Sequence, residues 1–249
     1  MFVLSVYLRI NQLLMYRYAV ACLLLFCSFS FSMQSMAQNE QLLNDWGNLK
    51  RYATANKALL PTAANGQRVV FMGNSITEGW AGADSNFFKQ NPYINRGISG
   101  QTTPQMLVRF RADVIELKPA AVVILAGIND IAQNTGPITI EQIFGNIVSM
   151  AELARANKIK VILCSVLPAA DFPWRRGLNP APKIVQLNEL LQSYCRQQKH
   201  VYVDYYGAMN DGQGGLLSSL GYDGVHPNLE GYKVMEPLVQ EGIRKALRK

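Results

Sequence analysis

The sequence predicts one α/β domain, a three-layer α/β/α sandwich around a doubly wound parallel sheet of about five strands. Two observations lead there. Short runs of β-branched and aliphatic residues recur between turn signals, and the segments joining them carry apolar residues three and four positions apart. Strands that alternate with helices pair in parallel, and a parallel sheet buries both faces. Right-handed crossovers then leave the doubly wound sheet as the simplest topology. At 249 residues, the chain is long enough for one domain with a full core.

Taken in order, residues 38–66 read as an N-terminal helix and linker, and residues 67–249 as the domain. Leu42, Leu43, Trp46 and Leu49 fall at helical spacing in a polar segment, and Pro61 to Gly66 form the linker. Strands are expected near 68–72, 93–95, 121–126, 160–165 and 201–204. Leu107, Phe110, Val114 and Leu117 form one helical stripe, with Thr103 before Pro104 as its start. Ile140, Ile143, Phe144, Ile147 and Ala151 form a second, with Thr139 and Gln142 placed for a capping box. Ile184, Leu187, Leu191 and Tyr194 form a third. The last helical region, about 229–247, contains Pro237 and is expected to kink or split.

The most informative stretch is Val69-Val70-Phe71-Met72-Gly73-Asn74-Ser75-Ile76-Thr77-Glu78-Gly79. A buried strand runs into a tight turn carrying Ser75, followed by residues that open a helix. That geometry lifts a hydroxyl off the sheet edge and points helix-start N–H groups toward it. A serine needs a base, and the chain has two histidines. His226 lies in Gly221-Tyr222-Asp223-Gly224-Val225-His226-Pro227-Asn228, with Asp223 placed to accept from one ring nitrogen while the other faces the serine. His200, at the mouth of a predicted strand, reads as a half-exposed edge residue. Asn95-Arg96-Gly97-Ile98-Ser99-Gly100 and Gly127-Ile128-Asn129-Asp130 each follow a predicted strand, at the carboxyl edge where open α/β sheets place their sites.

These four blocks, in this order and each at a strand-to-loop boundary, resemble the pattern of the SGNH (GDSL-like) hydrolases from about Arg68 to the C-terminus. The resemblance implies the flavodoxin-like strand order 2-1-3-4-5 and an acyl-enzyme mechanism. In it Ser75 is the nucleophile, His226 the base and Asp223 the acid that orients it. The oxyanion hole is implied to consist of Ser75 and Gly97 through their N–H groups and Asn129 through its amide. The family's Gly-Asp-Ser-Leu reads Gly73-Asn74-Ser75-Ile76 here; Asn keeps the turn's hydrogen bonding but carries no charge.

Residues 1–37 read as a secretory signal peptide, complete from Met15, with Arg17, an apolar core and Ser35 and Ala37 before the cut. An uncleaved anchor fits less well, because Ser28, Ser30 and Ser32 interrupt the apolar run. A lipid-attached Cys27 fits less well again, because Phe26 is bulky. The chain is therefore expected to be exported, periplasmic or extracellular, with no membrane span after cleavage. Removing Arg9 and Arg17 from 24 basic residues leaves 22 against 17 acidic ones, a net +5 with no dense basic stripe, which argues against nucleic acid. Cys164 and Cys195 remain, on a predicted strand and helix, and read as buried free thiols. With so few Cys and His no zinc site is expected, and the chemistry calls for no cofactor.

Trp80 follows the serine turn and is either a pocket wall or packing. The Pro-bounded loop 172–180 is placed at the rim of the site. There Trp174 stacks on a sugar ring and Arg175 or Arg176 meets polar groups, or the loop is simply rigid with solvated arginines. Asp130 and Glu78 read as loop-structuring acids. The expected substrate is a small-molecule or carbohydrate ester with a small, acetyl-type acyl group. A lysophospholipase or acyl-thioesterase is the alternative, and a non-catalytic carbohydrate-binding module on the same scaffold a further one.

Overall fold

Residues 45–59 and 68–248 are described by the computed structural model of the chain. The expected leader, the linker and the first part of the helix expected from 38 lie outside them. Five strands pair in parallel in the order β2-β1-β3-β4-β5: β1 (Val69–Gly73), β2 (Tyr93–Gly97), β3 (Ala121–Leu125), β4 (Lys160–Cys164) and β5 (Val201–Val203). β1 and β3 are buried along their whole length, as their unbroken apolar runs require of central strands. β1 stands between β2 and β3, with Gly73 opposite both Gly97 and Leu125, so three strands end level at one carboxyl edge.

Nine helices are described: α1 (Ala53–Leu59), α2 (Ser75–Ala83), α3 (Ser85–Lys89), α4 (Thr103–Asp113), α5 (Ile128–Ile131), α6 (Ile140–Ala156), α7 (Pro180–Gln198), α8 (Tyr205–Met209) and α9 (Leu229–Arg248). α4, α6 and α7 pack as one layer, while α2, α8 and α9 pack as the other. α6 starts as its capping box dictates, with Thr139 N–H on Gln142 Oε1 at 3.0 Å and Gln142 N–H on Thr139 Oγ1 at 3.2 Å. Phe71, Trp80, Phe87 and Tyr232 lock α2, α3 and α9 onto the sheet; Trp80 stacks on Phe87 at 4.9 Å and on Tyr232 at 5.2 Å. Such pairs contribute about 0.5–1.5 kcal/mol each beyond the area they bury. Among the described residues no helix is long and apolar enough to cross a membrane.

Three expectations need correction. The segment at Trp46 and Leu49 is not helical: residues 46–52 form turns, Asn48 takes φ 54°, and both apolar side chains are exposed. The stripe from Leu107 to Leu117 is not one helix, because α4 ends at Asp113 and a 3₁₀ turn (Ile115–Leu117) follows before Lys118 at φ 49°. α4 does start at Thr103, as expected, with Thr102 as its cap residue. Finally, α9 is one helix through Pro237, not two pieces. Pro237 lies on the exposed face, where water can serve the Lys233 carbonyl that its missing N–H leaves behind.

Candidate active site

The serine turn is shaped by what surrounds it. A Cβ on Gly73 would lie 2.1 Å from Thr77 Oγ1 and 2.9 Å from the Leu125 carbonyl, so only glycine lets α2 fold back on β1. Asn74 caps α2, its Oδ1 accepting the Ile76 N–H at 3.1 Å, which is the geometry the Asp-to-Asn change was expected to preserve. Ser75 is thus the first residue of α2, half-buried above the end of β1.

His226 comes from the other end of the chain. Gly221 and Pro227 pair across a closed loop, with the Tyr222 N–H on the His226 carbonyl at 3.2 Å. Inside that loop Asp223 Oδ1 accepts from the N–H groups of Val225 (2.9 Å) and His226 (2.7 Å), and its Oδ2 lies 2.7 Å from His226 Nδ1. Burial alone would raise the Asp223 carboxyl; the bonds from His226 and Val225 outweigh it and hold it below its ordinary value. His226 Nε2 then stands 2.9 Å from Ser75 Oγ. The two loops are tied together by α9, whose Tyr232 hydroxyl donates to the Ile76 carbonyl at 2.9 Å. His200 lies apart, at the start of β5 beside Tyr194.

Asn129 sits in α5, entered through Gly127 at φ 117°; it is nearly buried and borders the same cleft. Its Nδ2 donates to the Gln101 carbonyl at 3.0 Å, which fixes the amide's direction. Gly97 does not stand where the resemblance implies. Its N–H is spent on Asn95 Oδ1 at 2.9 Å, and Asn95 Nδ2 in turn donates to the Thr77 carbonyl at 2.5 Å. A Cβ on Gly97 would lie 2.1 Å from the Glu78 nitrogen, so this glycine serves the close approach of α2 to β2. Gly100, three residues on and at φ 77°, is the glycine that borders the cleft. It lies in the quoted motif, and sequence alone offers no means of choosing between the two.

The cleft is lined by Ser75, Glu78, Gly79, Ser99, Gly100, Asn129, Asn134, Trp174, Tyr222 and His226. Trp80 is not among them: it is 1 % exposed, packed among aromatic rings, with its indole N–H on Glu236 Oε1 at 3.3 Å. Trp174 does face the cleft, at 44 % exposure, held by stacking on buried Phe172 at 5.3 Å and by its N–H on Asn134 Oδ1 at 3.3 Å. Arg175 is turned away, donating to the carbonyls of Ala132 (3.1 Å) and Gln133 (2.6 Å), so it fastens the loop. Arg176 is exposed and outside the lining. Tyr222 is the residue sequence reasoning passed over. It stacks on His226 with ring centres 5.7 Å apart and planes within 11°, and it is 71 % exposed. The signal was its place beside Asp223, in the quoted block. Asp130 caps α4 through the Thr103 N–H (2.9 Å) and hydroxyl (2.6 Å). Glu78 holds the Ser99 N–H at 2.8 Å.

Fold and cleft together define an ester-hydrolysing enzyme on a doubly wound sheet, and comparison with known proteins gives the family. The chain belongs to the GDSL-like Lipase/Acylhydrolase family, whose profile matches residues 71–234. It is similar to Esterase TesA of Pseudomonas aeruginosa, 30% identical over 204 residues, 76% of this chain and 92% of that protein. It is also similar to an acetylxylan esterase of Geobacillus stearothermophilus, 25% identical over 153 residues, 57% of this chain and 67% of that protein. A solved GDSL-like lipase of Bacteroides thetaiotaomicron is 56% identical with a TM-score of 0.78, covering 81% of this chain and 99% of that one.

Proposed function

We propose that the chain is an exported serine esterase that removes small acyl groups, acetyl above all, from carbohydrate esters. The observation that carries the chemistry is the line Asp223–His226–Ser75, at 2.7 and 2.9 Å, opening on a cleft at the carboxyl edge of the sheet. His226 takes the Ser75 proton as Oγ attacks the ester carbonyl, forming a tetrahedral intermediate. Asp223 accepts the Nδ1–H, fixes the tautomer and favours the imidazolium. The carbonyl oxygen, now negative, is met by the N–H of Ser75, the N–H of Gly100 and the second hydrogen of the Asn129 amide. The imidazolium returns its proton to the departing alcohol oxygen, leaving the acyl group on Ser75. Water, deprotonated by His226, then attacks the acyl-enzyme, releasing the acid and restoring Ser75.

The lining supports the substrate class. Its large apolar side chains are Trp174 and Tyr222, exposed faces suited to the C–H face of a sugar ring, among the polar groups of Glu78, Ser99 and Asn134. A lysophospholipase needs a long apolar groove, which this lining does not supply. The similarity to an acetylxylan esterase points the same way, and the signal-like pattern of residues 15–37 supports export. The test is a panel of p-nitrophenyl esters from acetate to palmitate beside acetylated oligosaccharides, with fluorophosphonate labelling. Acetate and acetylated sugars should turn over fastest, the probe should label Ser75, and Ser75→Ala should abolish both with the fold intact. A preference for long chains would favour the lipase alternative. Failure of Ser75 to label would refute the nucleophile.

A further inference from the structure

We infer that residues 47–56 form a strap that positions the oxyanion loop, with Gln101 as its anchor. The segment lies before β1, outside the stretch matched by the family profile. Three of its ties lead to residues 97–101 around Gly100, one of them through Glu78. Gln101, nearly buried, donates from Nε2 to the Gly47 carbonyl at 3.0 Å. The Tyr52 hydroxyl donates to the Gly97 carbonyl, while the Arg96 guanidinium lies 4.5 Å over the Tyr52 ring. Arg51 Nη2 binds Glu78 Oε1 at 2.7 Å, and the other oxygen of that carboxylate holds the Ser99 N–H. Asn56 fastens the rear of the strap: it accepts from Arg96 Nε at 2.9 Å and donates to Asp113 Oδ1 at 2.7 Å.

Gln101 joins this strap to both halves of the site. Its carbonyl receives the Asn129 amide at 3.0 Å, and its Oε1 accepts from Arg109 Nε at 2.6 Å. Arg109 is fully buried, paired with Asp113 at 2.8 Å, and donates from Nη2 to the Gly73 carbonyl at 3.0 Å, two residues before Ser75. One glutamine therefore couples the strap, the Asn129 amide and the serine turn. Tyr52, Gln101 and Arg109 lie outside the cleft lining, so they are positioning residues. Donors act on a developing oxyanion only when held in place beforehand, and a displacement of about 1 Å costs up to about 10²-fold in rate.

This inference rests on the reading of Ser75, Gly100 and Asn129 given above. The full chain is assayed on p-nitrophenyl acetate, well below each variant's melting temperature, as Tyr52→Phe, Arg51→Ala and Gln101→Met. The expected result is a fall in kcat of about 10–100-fold for Gln101→Met and smaller falls for the other two, with KM nearly unchanged. Wild-type kcat in all folded variants, with only melting temperatures lowered, would overturn the strap. If Gln101→Met does not fold, Tyr52→Phe and the exposed Arg51→Ala decide alone, since a surface pair contributes little to stability. Fluorophosphonate labelling of wild type and the activity of Ser75→Ala are measured alongside. If Ser75 labels and its alanine variant is dead, an unchanged kcat defeats the strap alone. If Ser75→Ala remains active, the underlying site reading fails, and the strap with it.

Discussion

Asn129 donates one amide hydrogen to the Gln101 carbonyl and borders the cleft. In the proposed mechanism, Asn129→Ala lowers kcat by about 10²–10³ with little change in KM, because the lost bond matters most in the transition state; steady-state kinetics on an acetyl ester check this. At this scale the sequence was partly legible. The Asp-x-x-His spacing and the strand-end serine announced the line of hydrogen bonds, since local turns bring Asp223 to His226 and only two histidines compete. Gly97 and Gly100 could not be told apart, because a glycine that admits a neighbouring backbone and one that borders a cleft are the same letter. Trp80 was equally ambiguous: an indole beside a serine turn is wall or core according to which helix lies over it, and α9 decides.

Helices and strands were more legible than the contacts between them. The apolar runs of β1 and β3 and the Thr139/Gln142 cap read directly from local chemistry, whereas Pro237 misled because exposure, which a sequence does not state, decides whether a lost N–H breaks a helix. The approach of α2 to β2 gives a prediction of its own. Gly97→Ala puts a methyl 2.1 Å from the Glu78 nitrogen, and overpacking of this kind costs about 1–3 kcal/mol or more; denaturant midpoints should show the loss. The cap of α4 gives another. Burial pushes the Asp130 carboxyl up to about 6 from 3.8 despite the bonds from Thr103. Between those values the folded chain holds the proton more tightly than the unfolded chain. Stability from this group is therefore present at low pH and declines as pH rises through the window, by at most about 1.4 kcal/mol per unit. Denaturation curves from pH 4 to 7 should show that slope in the wild type and not in Asp130→Asn.

Across the whole molecule, alternation of strand and helix sufficed for the layer architecture, and the family resemblance supplied the strand order that the structure has. Its polar interior was not foreseen: Arg109 and Asp113 pair within α4, but Asn56 and Arg96, far from them in sequence, join them only once the sheet has wound. Cys164 and Cys195 are free and buried, and burial pushes both thiols up to about 12. Alkylation of these two positions, followed by peptide mass spectrometry, should therefore be blocked in the native chain and rapid in denaturant.

Ser75 and His226 stand 151 positions apart, and the helix that follows the histidine loop grips the helix that begins at the serine. A ribosome must complete the whole stretch between them before the two can meet. Shortened products that stop before the histidine loop should accordingly be silent, whatever fraction of the sheet they manage to assemble.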